Sequence, residues 1–303
     1  MTREELNKDI SDEIEEEELK EKRKKIVKKV LKIILIVFSI CIAFIIYTKI
    51  ISTSGLKVNE KRLEISNIPE SFNGVKIIQF SDLQYGSTIF EDELNSLVEK
   101  INKRNPDIVV FTGDLIDKSY KIKHEEIEKI IKSLSKINSN IGKYAVNGDE
   151  DKDNFNTILT QSGFTVLDNS YELVYNGENT PILITGISSN NKDIDKTFSY
   201  FKEEKSNKDI YNILIMHEPD TIDKVLENYK VDLALSGGNL NGEIYIPKIG
   251  GLFTRKDAKK YTKSYYEINN TKLYVSSGVG TDELGIRLGT FPSINFLRLA
   301  KVN

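Results

Sequence analysis

A chain of 303 residues with a net charge of −3 and 39% hydrophobic residues has enough apolar matter for one large domain or two small ones. The near-neutral balance argues against a nucleic-acid binder, and a single cysteine excludes a disulfide framework. The charges are segregated. Residues 1–21 hold ten acids and three bases, whereas residues 22–32 hold seven Lys/Arg and no acid.

The next stretch, Ile33–Tyr47, carries no charge. Extended from Val30 to Ile51, with Lys32 and Lys49 snorkelling from its ends, it reaches the roughly 20 residues that span hydrocarbon. The expectation is an uncleaved signal anchor over residues 30–52, after a cytoplasmic acidic/basic tail over 1–29. A cleaved signal peptide is the rival. Its charged leader would be unusually long, and Ser52-Thr53-Ser54-Gly55 is a weak cleavage site. A helix apolar on every face, directly after a basic block, suits lipid better than a protein core. The block Lys22–Lys32 places the N-terminus in the cytoplasm and residues 53–303 outside, as a single-pass protein of the cell membrane. Cys41 lies within the span, so the outer domain depends on packing alone. The acidic run Asp12–Glu18 reads as a solvated tail or the first turns of a helix, with docking as a weaker alternative.

Beyond the span, short Ile/Val/Leu-rich runs predict strands at Val75–Ser81, Asp107–Thr112, Lys143–Asn147, Ile182–Ile187, Ile213–His217, Leu233–Ser236, Leu273–Ser276 and Ile294–Val302. Helical periodicity appears between them at Glu91–Lys103 and Glu125–Ile137. Apolar strands linked by amphipathic helices imply sheets covered on both faces. Tyr171–Tyr175, followed by Asn176-Gly177, predicts one strand of an antiparallel pair.

Polar or glycine-rich clusters follow five of these strands. They are Asp82-Leu83-Gln84, Gly113-Asp114-Leu115-Ile116-Asp117, Asn147-Gly148-Asp149-Glu150-Asp151, His217-Glu218-Pro219-Asp220, and the run from Ser236-Gly237-Gly238-Asn239 to Asn241-Gly242-Glu243. In open α/β sheets, functional residues gather beyond the carboxyl ends of strands. In this order and spacing, the clusters resemble the motifs of the membrane-attached branch of the calcineurin-like metallophosphoesterases, over residues 56–303. The resemblance implies an α/β/β/α sandwich of four layers, preceded by one transmembrane helix. It also implies paired divalent metals that activate water and neutralise phosphoryl oxygens.

Carried over by motif, Asp82 matches the first Asp, and Gln84 stands where the family has His. Asp114 matches the Asp that bridges both metals. Asp149 replaces an Asn ligand, Glu150 the His that implies a proton donor, and His217 matches the lone His. Gly238 and Leu240 occupy the two His positions of the last motif. The closing pattern over Tyr274–Pro292 supports the scaffold. The surviving metal ligands are therefore Asp82, Asp114, Asp149 and His217, with Gln84, Asn239, Asn241 and Glu243 as auxiliaries and Glu150 as a weak candidate for proton transfer. Such a set implies one ion or none, and its oxygen-rich character favours Mn²⁺, Mg²⁺ or Ca²⁺ over Zn²⁺. His124, beside Glu125 and Glu126, reads as a surface residue.

Three functions stay open. The first is a degenerate phosphoesterase domain that binds or regulates through a phosphorylated small molecule, a lipid or a protein partner. The second is an active phosphoesterase with a reduced site. The third is an anchoring protein that works through its acidic tail.

Overall fold

The computed structural model describes residues 3–152, 154–203, 206–239, 244–246, 250–251, 257–282 and 285–302. Leu240, Asn241, Gly242 and Glu243 lie outside the described residues. The chain divides into two compact units, Met1–Thr48 and Lys49–Asn303.

The first unit is helix α1 (Arg3–Ile46), and the π-helical turn that follows, Tyr47–Ile51, spans the boundary at Thr48. Forty-four residues at 1.5 Å each make it roughly 66 Å long. The acidic block is thus helical, supported by i,i+4 pairs such as Lys20–Glu16 at 2.8 Å. Ile33–Ile46 is exposed on every side of the helix. By length and composition, this helix is long and apolar enough to cross a membrane.

In the second unit, β1 (Lys57–Ile65) is followed by β2 (Lys76–Phe80), α2 (Glu91–Asn102), β3 (Ile108–Phe111), α3 (His124–Leu134), β4 (Gly142–Ala145), α4 (Asn154–Gln161), β5 (Thr165–Val166), β6 (Ser170–Val174) and β7 (Ile182–Ile187). Then come α5 (Ile194–Thr197), β8 (Asn212–Met216), α6 (Ile222–Leu226), β9 (Leu233–Ser236), β10 (Tyr245–Ile246), β11 (Gly250–Gly251), β12 (Tyr265–Ile268), β13 (Thr271–Val275) and β14 (Ser293–Lys301). Among the described residues these strands build two six-stranded sheets, β1-β14-β2-β3-β4-β5 and β12-β13-β9-β8-β7-β6, with β10-β11 a separate ribbon. The strands β2 to β5 run parallel, as do β7, β8, β9 and β13. The pair β6–β7 is antiparallel.

Strand alternation assigns each apolar residue to a layer. Ile77, Ile108, Val110, Ile213, Ile215, Leu233 and Leu235 fill the space between the sheets. Ile78, Phe80, Val109 and Phe111 point the other way, into a core completed by Leu94, Leu97 and Val98 of α2, Ile130 and Leu134 of α3 and Ile158 of α4. On the far side, Leu214, Met216 and Ala234 meet Phe198, Ile222 and Val225. The result is the expected α/β/β/α sandwich.

The expected strands all form, with β2, β3 and β4 a residue or two shorter than their apolar runs and the others within two residues of the expected ends. β1 is the main element the periodicity does not reveal. Its sequence KVNEKRLEI is mostly polar because it is an edge strand, exposed at Lys57 and from Asn59 to Arg62. It is held by parallel pairing with β14 across nine residues.

A polar ladder crosses the interior behind the strand ends. Asn59 donates to Ser293 Oγ (3.0 Å) and Asn295 Oδ1 (3.4 Å), and Asn295 Nδ2 donates to Gln79 Oε1 at 2.9 Å. Gln79 Nε2 donates to the Ser236 carbonyl at 2.8 Å, which ties β2 of one sheet to β9 of the other. Gln79→Leu leaves Asn295 Nδ2 without its acceptor and cuts the inter-sheet bond to the Ser236 carbonyl, which keeps only the Ser276 N–H. It is expected to cost about 1–3 kcal/mol, read as a lower urea midpoint at unchanged m value by circular dichroism of the full chain in detergent. An unchanged midpoint would refute a structural role for the ladder.

Candidate metal centre

Each of the five polar clusters begins at the carboxyl end of a parallel strand, and their described residues are laced together by backbone hydrogen bonds. Asp82 N donates to Gly113 O (2.8 Å), Gln84 N to Asp114 O (3.1 Å) and Tyr85 N to Leu115 O (3.0 Å). Gly280 N donates to Asp82 O at 2.8 Å, which brings the loop after β13 to the same place. Arg287, fully buried, donates to the carbonyls of Gly278 and Gly280 and braces that loop.

Asp82, Gln84 and Asp114 all adopt left-handed backbone, at φ of 49°, 47° and 60°. This conformation costs roughly 1–2 kcal/mol per non-glycine residue, and such strain clusters at functional sites. Close approach also decides two glycines. A Cβ on Gly113 would lie 2.4 Å from Gly148 N, and one on Gly148 would lie 2.1 Å from Asp114 Oδ1. Any side chain there would force the β3 and β4 loops apart.

The side chains of Asp82, Asp114 and His217 are fully buried, and one ligand atom from each lies within 4.8 Å of the others. The imidazole orientation is set from behind, with Nδ1 2.6 Å from the Thr112 carbonyl. Nδ1 therefore carries the proton in the neutral ring, and Nε2 faces the carboxylates as an acceptor. Nε2 lies 3.4 Å from Asp114 Oδ2 and 3.5 Å from Asp149 Oδ1, at ion-pair distance but without hydrogen-bond geometry. Burial disfavours the imidazolium, yet the carboxylates of Asp114, Asp149 and Asp82 outweigh it and hold the pKa well above its ordinary value. This arrangement fits one divalent ion: a buried imidazole nitrogen and two buried carboxylates converge, with the half-exposed Asp149 at the rim.

The other half of the expected dinuclear site does not fit an ion as it stands. Gln84 Nε2 donates to Asp114 Oδ2 and to Glu150 Oε2, both at 3.1 Å. An amide N–H group thus occupies the side of Asp114 from which the family's first-motif histidine would hold the other ion, while Gln84 Oε1 is buried without a hydrogen-bond partner. Glu150 is committed further: its N–H donates to Asp114 Oδ1 at 3.2 Å, and its Oε1 pairs with Lys118 Nζ at 3.1 Å. Gly238 has φ of +67°, and a Cβ there would meet the His217 ring and carbonyl at 3.0 Å. A side chain at 238 would need left-handed backbone and a shift of the His217 ring by a few tenths of an ångström. Gly238 N instead donates to Asp82 Oδ2 at 3.2 Å. Asn239 is buried and turned to the Tyr261 carbonyl (3.1 Å), with its Oδ1 unpartnered. The auxiliary candidates Asn241 and Glu243, and the expected ligand position Leu240, fall among the undescribed residues. His124 is a surface residue, 3.5 Å from Glu128.

Several contributors carry weak sequence signals. The polar run after β7 is one. Ser188 and Ser189 donate to Asn147 Oδ1, Ser189 Oγ donates to Glu218, and Asn190 donates to the Asp151 carbonyl. Ser188-Ser189-Asn190-Asn191 directly after an apolar strand was the available clue. Thr112 acts through its backbone, which no residue type announces.

Asp151 organises the centre without touching the ion position. Its carboxylate accepts from Asp114 N (2.8 Å), Leu115 N (2.8 Å) and Gly148 N (2.7 Å). Burial, then the Asp114 charge, push its pKa up to about 7, against the pull of these three N–H groups. Asp151→Asn turns one accepting oxygen into a donor that faces backbone N–H. It is expected to cost about 2–3 kcal/mol in urea unfolding and to lower metal affinity by about tenfold or more in titration with Mn²⁺. A variant with wild-type stability and metal affinity would show that the three bonds do not hold the site.

Comparison with known proteins bears on this geometry. Residues 75–239 match the calcineurin-like phosphoesterase family model. The chain is 31% identical over 265 residues to an uncharacterized metallophosphoesterase, YkuE, of Bacillus subtilis (strain 168), covering 85% of this chain and 90% of that protein. It is 24% identical over 271 residues to a transmembrane protein with metallophosphoesterase domain of Danio rerio, covering 81% of this chain and 59% of that one. Among solved structures, TT1561 of Thermus thermophilus superposes with a TM-score of 0.42 at 11% identity, covering 68% of this chain and 91% of that one. With one family model spanning more than half its length and the B. subtilis relative matching it almost end to end, this chain belongs to the calcineurin-like phosphoesterase family.

Proposed function

We propose that this protein is a single-pass, membrane-anchored phosphoesterase-fold domain with a one-ion site. It binds a phosphorylated ligand there and does not perform two-metal hydrolysis. The observation that carries this reading is the Gln84 amide, which donates to Asp114 Oδ2 and so fills the direction of a second ion. Asp82, Asp114 and His217, with Asp149 at the rim, would hold the remaining ion. Mostly oxygen donors favour Mg²⁺, Mn²⁺ or Ca²⁺ over Zn²⁺. When bound, the ion supplies a positive centre for a phosphoryl oxygen. The chain's own part is to present neutral His217 Nε2, oriented by Thr112, and to hold Asp114 through Glu150 and Gln84. The proton-donor position is Glu150, whose carboxylate is engaged by Gln84 and Lys118 and so is badly placed to protonate a leaving group.

The retained, well-oriented Asp82–Asp114–His217 cluster favours a second reading, an active phosphoesterase working with one ion. Elemental analysis of the purified full chain decides between them, run beside assays with p-nitrophenyl phosphate and its diester in Mn²⁺. About one ion per chain is expected, lost in His217→Ala and in Asp114→Ala, with no turnover above the Asp114→Ala background. Turnover that disappears with Asp114→Ala establishes the second reading, and a chain that holds no ion defeats both.

For the membrane, α1 supports an anchor with the basic block Lys22–Lys32 in the cytoplasm and the phosphoesterase domain outside. Protease added to intact cells is expected to digest the domain and spare a tag placed at the N-terminus; the reverse pattern would invert the topology.

A further inference from the structure

A two-ion centre meets a phosphate dianion with two divalent cations. Here Asp82, Asp114, Asp149, Glu150 and Asp151 crowd a site in which the Gln84 amide replaces one of them. A single ion leaves that cluster anionic, so a phosphoryl group needs a further cation from the protein. Lys192 is held by Glu218 (3.1 Å) and Asp257 (3.4 Å), and Arg287 is buried against backbone carbonyls. Lys118 lines the same cavity as Lys152 and is tied to the centre through Glu150. Its Nζ lies 3.1 Å from Glu150 Oε1, Glu150 Oε2 accepts from Gln84 Nε2, and Gln84 Nε2 also donates to Asp114 Oδ2. The Glu150 side chain is only 8% exposed and Lys118 48%, so a fixed carboxylate presents a cation at the surface of the site.

Beside this pair lies this cavity of about 90 Å³, lined by Ile116, Lys118, Tyr120, Ile122, Glu150 and Phe155 among others. It is partly open to solvent, and its enclosed part is small, about three water volumes at roughly 30 Å³ each. Ile116, Tyr120, Ile122 and Phe155 give it an apolar side that suits a short carbon chain, and Asp117, Asp151, Lys152 and Asn154 line the rest.

We propose that Lys118 is the phosphate anchor of this site: its ammonium takes over the charge of the missing ion, and the adjoining cavity receives the small alcohol portion of a phosphomonoester. An ammonium group carries three donors and can hold Glu150 and a phosphoryl oxygen together. The inference rests on the one-ion reading above and adds to it the ligand class and the residue that selects it.

Calorimetry on the full chain in detergent, loaded with Mn²⁺, tests it with sn-glycerol 3-phosphate as the probe. Metal content is measured on the same samples. Lys118→Ala is expected to weaken binding by about tenfold, the loss of one charge-assisted hydrogen bond, with the ion count unchanged. Lys118→Arg is expected to restore most of the affinity, which a merely structural role for the lysine would not require. Short-chain phosphatidic acid is expected to bind more weakly than glycerol phosphate, because its substituent exceeds the cavity. Lys118→Ala binding within about twofold of wild type, with its ion in place, overturns the anchor. Equal binding of the phosphatidic acid overturns the size assignment in favour of a lipid headgroup. A wild-type chain without an ion brings down the one-ion reading itself, a result visible in the metal analysis alone.

Discussion

The carboxylate of Asp114 is the point to which the rest of the centre is fastened. One oxygen accepts from Glu150 N and the other from Gln84 Nε2, with His217 Nε2 3.4 Å away. Its backbone is left-handed at φ 60°, and its N–H is held by Asp151. A residue so placed is costly to build, and the surrounding bonds over-determine it. The glycines at 113 and 148, the short bonds from Asp151 and the braced loop at Gly280 all serve to keep that carboxylate where it is.

The departures from the family's ligand pattern form one coherent rearrangement. Where the family's first motif has an imidazole ligand, the Gln84 amide donates to the carboxylates of Asp114 and Glu150. Where an imidazole would approach from the last motif, a left-handed glycine lets its N–H bond Asp82 and brings the backbone close against His217. Glutamate at the proton-donor position is paired with Lys118. His217 joins the two possible states of the centre. The carboxylates that raise its pKa are also the ones that attract an ion, and ligation requires the neutral ring, so a proton and a metal compete for the same nitrogen.

The fold was legible because the inner strands are buried on both faces. Runs such as IVVF and NILIM have no polar face to blur them, and their spacing left little choice of architecture. β1 escaped because an edge strand half in solvent carries Asn59, Glu60, Lys61 and Arg62, residues that read as loop. Its position depends on β14, more than 230 residues away in sequence. The same applies to the ladder from Asn59 to Ser236, since neither Gln79 nor Asn295 declares a partner from its own neighbourhood.

At the centre, the order of the motifs was enough to name Asp82, Asp114, Asp149 and His217, to show that Gln84, Gly238 and Leu240 are not the family's histidines, and to mark the apolar stretch after the basic block. Residue type fixes which groups are able to ligate, and apolar periodicity fixes which strand ends carry them. Which way an amide turns, which nitrogen of His217 faces the carboxylates, and whether Lys118 reaches Glu150 are decided by distances between loops remote in the chain. Those distances exist only after two sheets have packed, because hydrogen bonds and charges act over a few ångströms and have no counterpart in linear spacing.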